Sequence, residues 1–179
     1  MENEITVNGK RFGVSLTSSE IQKRVAEVAE QINSDFKGQE VVFIGILNGS
    51  FMFAADLLKS INLVSKISFI KVSSYQGTSS TGEVKQLIGI SESLEGKNVI
   101  VIEDIVDTGR TIKMIANQLK QQKPANIKIA TLMFKPSVYS EDVTIDYYGF
   151  KIPNDFIVGY GLDYDGYGRN LKDIYTIIK

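Results

Sequence analysis

The 179-residue chain contains no cysteine and no histidine. Those two absences exclude disulfides, thiolate chemistry, zinc sites of the usual Cys/His kind and any catalytic triad that relays a proton through imidazole. A metal bound here needs oxygen ligands, which favours Mg²⁺ or a similar hard cation. Charge of one sign is also scarce in excess: 20 basic against 21 acidic side chains leave a net charge of −1. No broad attraction for nucleic-acid phosphates follows from that balance. Residues 1–7 lack the basic and apolar regions of a signal peptide, and no apolar run approaches the length of a membrane span. The expectation is a cytoplasmic protein with neither nucleic acid nor membrane as partner. Three prolines and an ordinary apolar content predict no disordered stretch. At this length one core suffices, so residues 1–179 are expected to form a single domain.

The pattern that is present alternates strand and helix. Thr17-Ser18-Ser19-Glu20 fits a capping box, in which a hydroxyl and a carboxylate satisfy the orphan amides of a helix start. Behind it Ile21, Val25, Val28, Ala29, Ile32 and Phe36 recur at three- and four-residue spacing, and Gly38 ends the helix. Residues 41–47, 98–102 and 127–133 are nearly continuous apolar runs, the mark of strands buried on both faces. Helices are expected between them at 51–61 and 111–122, and a further strand at 68–73. This order predicts an α/β fold with a mainly parallel sheet flanked by helices and joined by right-handed crossovers. Residues 74–82 carry almost nothing that could anchor them in a core and read as a mobile loop. The last third is rich in aromatics and glycine among short strand-like pieces.

The most informative stretch is Val99-Ile100-Val101-Ile102-Glu103-Asp104-Ile105-Val106-Asp107-Thr108-Gly109-Arg110-Thr111. It runs from a buried strand through three carboxylates into a helix start, the place where α/β sheets bind ligands. Amides at that helix start, the hydroxyls of Thr108 and Thr111, and close backbone approach at Gly109 suit a phosphate monoester. Glu103 and Asp104 cannot share one strand face, but at a frayed strand end both can accept hydrogen bonds from a sugar diol. The plainer alternative is that the acids only cap the helix. Competing motifs fail: no Gly-x-x-x-x-Gly-Lys-Ser/Thr loop exists, and Gly159-Tyr160-Gly161 lacks the third glycine of a dinucleotide site. Residues 163–168 look briefly like a calcium loop, but Tyr167 stands where an oxygen ligand belongs and Ile174 replaces the closing Glu.

The run from Val99 to Thr111 resembles the phosphoribosyl-pyrophosphate signature of the type I phosphoribosyltransferases. Lys135-Pro136 and residues 148–164, together with Leu47-Asn48-Gly49-Ser50 and Ser74-Tyr75, are similar to the hypoxanthine (hypoxanthine-guanine) members in particular. The resemblance covers residues 41–179. It implies the type I phosphoribosyltransferase fold with a small hood drawn from C-terminal and N-terminal segments. It further implies a Mg²⁺-dependent purine salvage enzyme that joins phosphoribosyl pyrophosphate to hypoxanthine or guanine.

By that resemblance Glu103 and Asp104 hold the ribose hydroxyls, Asp107 handles the purine N7 proton, and the 5′-phosphate lies in a cradle of Ile105, Val106, Thr108, Gly109, Arg110 and Thr111. Asn48, Gly49 and Arg169 contact pyrophosphate, with a cis peptide expected between Leu47 and Asn48. Many family members carry Lys where this chain has Asn48. Lys135 reaches the purine 6-oxo group, Phe156 stacks on the base, and Ile157 and Asp163 complete the purine site. Glu103, Asp104 and Asp163 are the implied Mg²⁺ ligands, and Ser74 and Tyr75 belong to a lid. An ammonium donates to a 6-oxo group and is repelled by a 6-amino group, so oxopurines should be preferred. A homodimer or homotetramer is implied. Two other readings are a regulator or RNA-binding protein that keeps the site as a ligand sensor, and a structural α/β module with no ligand.

Overall fold

The computed structural model describes residues 4–73, 85–90 and 92–178. Ser74, Tyr75 and the rest of the expected loop at 74–82 lie outside the described residues. Ten strands and three helices are assigned: β1 (Glu4–Val7), β2 (Lys10–Leu16), α1 (Ser18–Asp35), β3 (Val41–Leu47), α2 (Phe51–Lys59), β4 (Ser65–Ser73), β5 (Lys85–Ile88), β6 (Asn98–Val106), α3 (Arg110–Lys120), β7 (Asn126–Phe134), β8 (Tyr147–Lys151), β9 (Ile157–Val158) and β10 (Ile174–Ile177).

The six-stranded sheet has the order β5-β4-β3-β6-β7-β8, with β5 antiparallel to β4 and the other pairings parallel. Buried β3 and β6 at its centre are the apolar runs that a two-faced sheet requires. Helices α1 and α2 cover one face, where Ile21, Val28, Ile32, Phe53 and Leu57 pack with Phe43, Ile100 and Leu132. The opposite face is covered by α3, whose Ile112, Ile115 and Leu119 meet Val42, Ile44 and Val101. The α1 start closes as the sequence predicts: the Glu20 amide donates to Thr17 Oγ1 at 3.3 Å and the Thr17 amide to Glu20 Oε2 at 2.9 Å.

A second, four-stranded antiparallel sheet has the order β1-β2-β10-β9. It joins the first strands to the last and has its own core of Val7, Phe12, Val158 and Tyr175. This is the expected hood, set beside the carboxyl ends of the parallel strands.

One local expectation is corrected. The strand leaving Asn98 does not fray at Glu103 but continues to Val106, because Glu103, Ile105 and Val106 stay in register with Thr131, Met133 and Phe134 of β7. Ladder hydrogen bonds and the apolar contacts of Ile105 and Val106 outweigh the acidic composition.

Candidate active site

At the carboxyl ends of β3 and β6 lies a cleft of about 290 Å³ lined by Asn48, Gly49, residues 103–107, Gly109, Thr111, Asp163 and Arg169. Three segments distant in the sequence converge here: the turn after β3, the β6-to-α3 junction and the loop after β9. Ile46, Leu47 and Ile112 complete the lining. Sequence reasoning assigned Ile46 and Ile112 to the core, where they do pack; their place at a strand end and a helix start was the signal that they also line a cavity.

The α3 end of the cleft is built from backbone. Gly109 is the N-cap of α3 with φ 86°, and no side chain caps that helix. Asp107 Oδ1 accepts from its neighbour, the Thr108 amide, at 2.5 Å and does not reach into the helix. The acids therefore do not serve as caps, and the positive end of α3 opens toward the cleft lined by Gly109 and Thr111. A β-carbon at Gly109 would lie 2.4 Å from the Tyr139 ring, so only glycine permits this turn beside its neighbour. Thr108 and Arg110, both expected in the cradle, are not part of the cleft lining; the Thr108 carbonyl instead accepts from the Ser140 amide at 3.3 Å.

Further back along β6, Glu103 is 8% exposed and Asp104 half-buried. Burial pushes the Glu103 carboxyl well above the usual carboxylate range, and the adjacent Asp104 charge pushes it further. Burial also raises Asp104, against relief from Glu103, from the Ile105 amide at 2.8 Å and from the Arg169 charge. Both carboxyls are therefore harder to ionise than an exposed one, Glu103 the more so because it is the more deeply buried and lies beside the Asp104 charge. Asp104 lies against the turn after β3: a β-carbon on Gly49 would sit 1.6 Å from Asp104 Oδ2, so the turn must be glycine. The Leu47–Asn48 peptide is cis, as the resemblance implied. The Asn48 side chain is exposed.

Asp163 and Arg169 face this pair and are bound to each other, Arg169 Nη2 to Asp163 Oδ1 at 2.6 Å. The second Asp163 oxygen accepts from the Gly166 amide at 2.7 Å. Asp163 is thus engaged, and among the described residues no three carboxylates are gathered as a ready cation cage. Glu103 and Asp104 do fit a hard cation: they are adjacent oxygen donors lining one cleft, and the charge of Asp104 disfavours that of Glu103.

Of the residues expected at the base, Asp163 lines the cleft, whereas Lys135, Phe156 and Ile157 stand outside its lining. Lys135 is 8% exposed; its amide donates to the Val106 carbonyl at 2.9 Å and its ammonium to Asn154 Oδ1 at 3.3 Å. Phe156 is 44% exposed and meets the Tyr164 ring edge-on at 5.4 Å, while Ile157 is buried in β9. Lys135 is thus anchored at the end of β6, and Phe156 packs on the hood aromatics Phe12 and Tyr164.

Comparison with known proteins agrees with this geometry. Residues 16–165 match the phosphoribosyl transferase domain. The chain is 44% identical over 165 residues to a hypoxanthine-guanine phosphoribosyltransferase of Staphylococcus aureus, covering 92% of each chain. It is 40% identical over 171 residues to that of Mycobacterium tuberculosis, covering 92% of this chain and 85% of the relative. Among solved structures, a Bacillus anthracis hypoxanthine-guanine phosphoribosyltransferase with HEPES in its active site superposes with a TM-score of 0.87 at 43% identity, covering 92% of this chain and 98% of the other. Identity of this extent over 92% of the chain shows that it belongs to the hypoxanthine-guanine phosphoribosyltransferase family.

Proposed function

We propose that this enzyme transfers the phosphoribosyl group of phosphoribosyl pyrophosphate to N9 of hypoxanthine or guanine, releasing pyrophosphate and forming the nucleoside monophosphate. The observation that carries the reading is the uncapped, positively polarised start of α3 in one cleft with the Glu103–Asp104 pair. An anion fits the first and a ribose diol the second. In this reading residues 1–179 act as one phosphoribosyltransferase domain.

The 5′-phosphate takes the amides and hydroxyls at 108–111. The ribose 2′- and 3′-hydroxyls bond to Glu103 and Asp104, whose negative charge also favours the cationic character that develops at the anomeric carbon. Arg169 and the backbone at Asn48 and Gly49 receive the pyrophosphate. Glu103 and Asp104 would hold Mg²⁺ on the donor, with Asp163 joining once Arg169 turns to phosphate; bound there, the ion supplies charge neutralisation for the leaving group. Asp107 accepts the proton from N7 as N9 bonds to the anomeric carbon. Lys135 donates to the 6-oxo group, Phe156 stacks on the ring and the Ile157 backbone meets its edge. The proposed lid at Ser74 and Tyr75 would exclude water, which otherwise competes for the ribosyl carbon. Action in the cytoplasm as a homodimer or homotetramer belongs to the same reading, and among the described residues no helix is long and apolar enough to cross a membrane.

The test is incubation with phosphoribosyl pyrophosphate, Mg²⁺ and one purine at a time, following nucleotide formation by absorbance. Turnover with hypoxanthine or guanine and none with adenine is expected. No turnover with any base would overturn the reading in favour of a ligand sensor.

A further inference from the structure

Tyr160 lies in the loop after β9, three residues before Asp163, and is not part of the cleft lining, yet the fold takes unusual trouble over it. Its φ is 49°, in the left-handed region that a bulky side chain seldom adopts. Its ring is 1% exposed, and its hydroxyl donates to Asp56 Oδ2 at 2.6 Å. Asp56 belongs to α2 and also accepts from Gln22 Nε2 of α1 at 2.5 Å and from Lys59 Nζ at 2.8 Å. Burial disfavours the Asp56 charge, but these three donors together more than offset it. The hydroxyl therefore meets a fixed carboxylate.

Both ends of this bond lead to the cleft. Helix α2 begins at Phe51, directly after the turn that presents Asn48 and Gly49. On the other side, the residue after Tyr160 is Gly161, whose amide donates to the Arg169 carbonyl at 3.0 Å and whose carbonyl accepts from Arg169 Nη1 at 2.7 Å. Gly161 also presses on the turn itself: a β-carbon there would lie 2.1 Å from the Gly49 carbonyl oxygen. The same Arg169 holds Asp163. One hydroxyl thus ties the segment carrying Asp163 and Arg169 to the helix that follows the Asn48–Gly49 turn.

We propose that Tyr160 and Asp56 are positioning residues that set the spacing between these two halves of the pyrophosphate end of the site. The inference rests on the proposed use of phosphoribosyl pyrophosphate. It requires the bond to act on the donor and not on the base, because the Lys135 and Phe156 side is built from β6, β7 and the segment before β9.

The experiment compares Tyr160→Phe, Asp56→Ala and Asp56→Asn with the wild-type enzyme, measuring KM for phosphoribosyl pyrophosphate and for hypoxanthine separately, with thermal midpoints alongside. Phe keeps the ring and removes only the hydroxyl. Tyr160→Phe and Asp56→Ala should each raise the donor KM about tenfold, the scale of one buried hydrogen bond to a charged group. The hypoxanthine KM should stay within about twofold, since no contact of that side is altered. Asp56→Asn, which retains an acceptor, should recover most of the donor KM lost in Asp56→Ala. A Tyr160→Phe enzyme whose donor KM is unchanged, or whose two KM values rise together with a fall in thermal midpoint, overturns the inference. A wild-type protein that uses no donor overturns the functional reading instead, so the two failures are distinct.

Discussion

Asp107 and Glu103 are four residues apart and differ in what removing their charge should do. Asp107 is exposed at the cleft and its Oδ1 accepts from the Thr108 amide. Asp107→Asn keeps the shape and removes the proton acceptor, so kcat should fall about a hundredfold while the donor KM changes little. An unchanged kcat would remove Asp107 from proton transfer. Glu103 is a buried acid whose proton affinity is raised by its surroundings. Between the ordinary carboxylate range and that raised value the native state binds more protons than the unfolded chain. Stability should therefore fall as pH rises through the raised value, and be fully present below the unfolded one. In metal-free buffer the denaturant midpoint of the wild type should decline with pH over this window. Glu103→Gln should flatten the decline and be the more stable protein at neutral pH, while binding ribose worse. A variant that follows the wild-type curve would place the titration elsewhere.

At the level of elements, the junction from β6 into α3 decides the phosphate site. Gly109→Ala introduces a left-handed alanine costing about 1–2 kcal/mol and a contact with Tyr139 that has to be relieved by moving the turn. The donor KM should rise at least about tenfold with the fold intact, a change that steady-state kinetics and circular dichroism would together detect. Elements with local signals were the legible ones. The capping box and apolar stripe marked α1, and the run from Val41 to Leu47 is β3 to the residue. Strand β6 was read four residues short because its end is held by β7 and not by its own composition. Strands β1, β2 and β5 were not marked individually, since they are short and the main partner of β2 is β10, more than 150 residues away. The acidic loop was readable from residues alone as part of a ligand cleft at a strand-to-helix junction. Lys135 and Phe156 carried no such local signal, because one follows β7 of the large sheet and the other precedes β9 of the hood.

For the molecule as a whole, ligands and cations should act on stability and on turnover together. A purine mononucleotide that binds only the folded protein should stabilise it by about 2.7 kcal/mol at a hundredfold excess over Kd, visible as a rise in Tm. Chelation of divalent cations should abolish turnover, with Mg²⁺ restoring it and monovalent salt not. Activity that survives chelation would remove the cation from the proposed mechanism. The hood sheet has a different consequence. Its central pair is β2, near one end of the chain, and β10, near the other. While the polypeptide is being made, the early hairpin has to wait as an open-edged ribbon until the last strand leaves the ribosome. The arm carrying Asp163 and Arg169 enters that sheet through β9 and β10, so a nascent chain can have its parallel layers stacked while the cleft still lacks one wall.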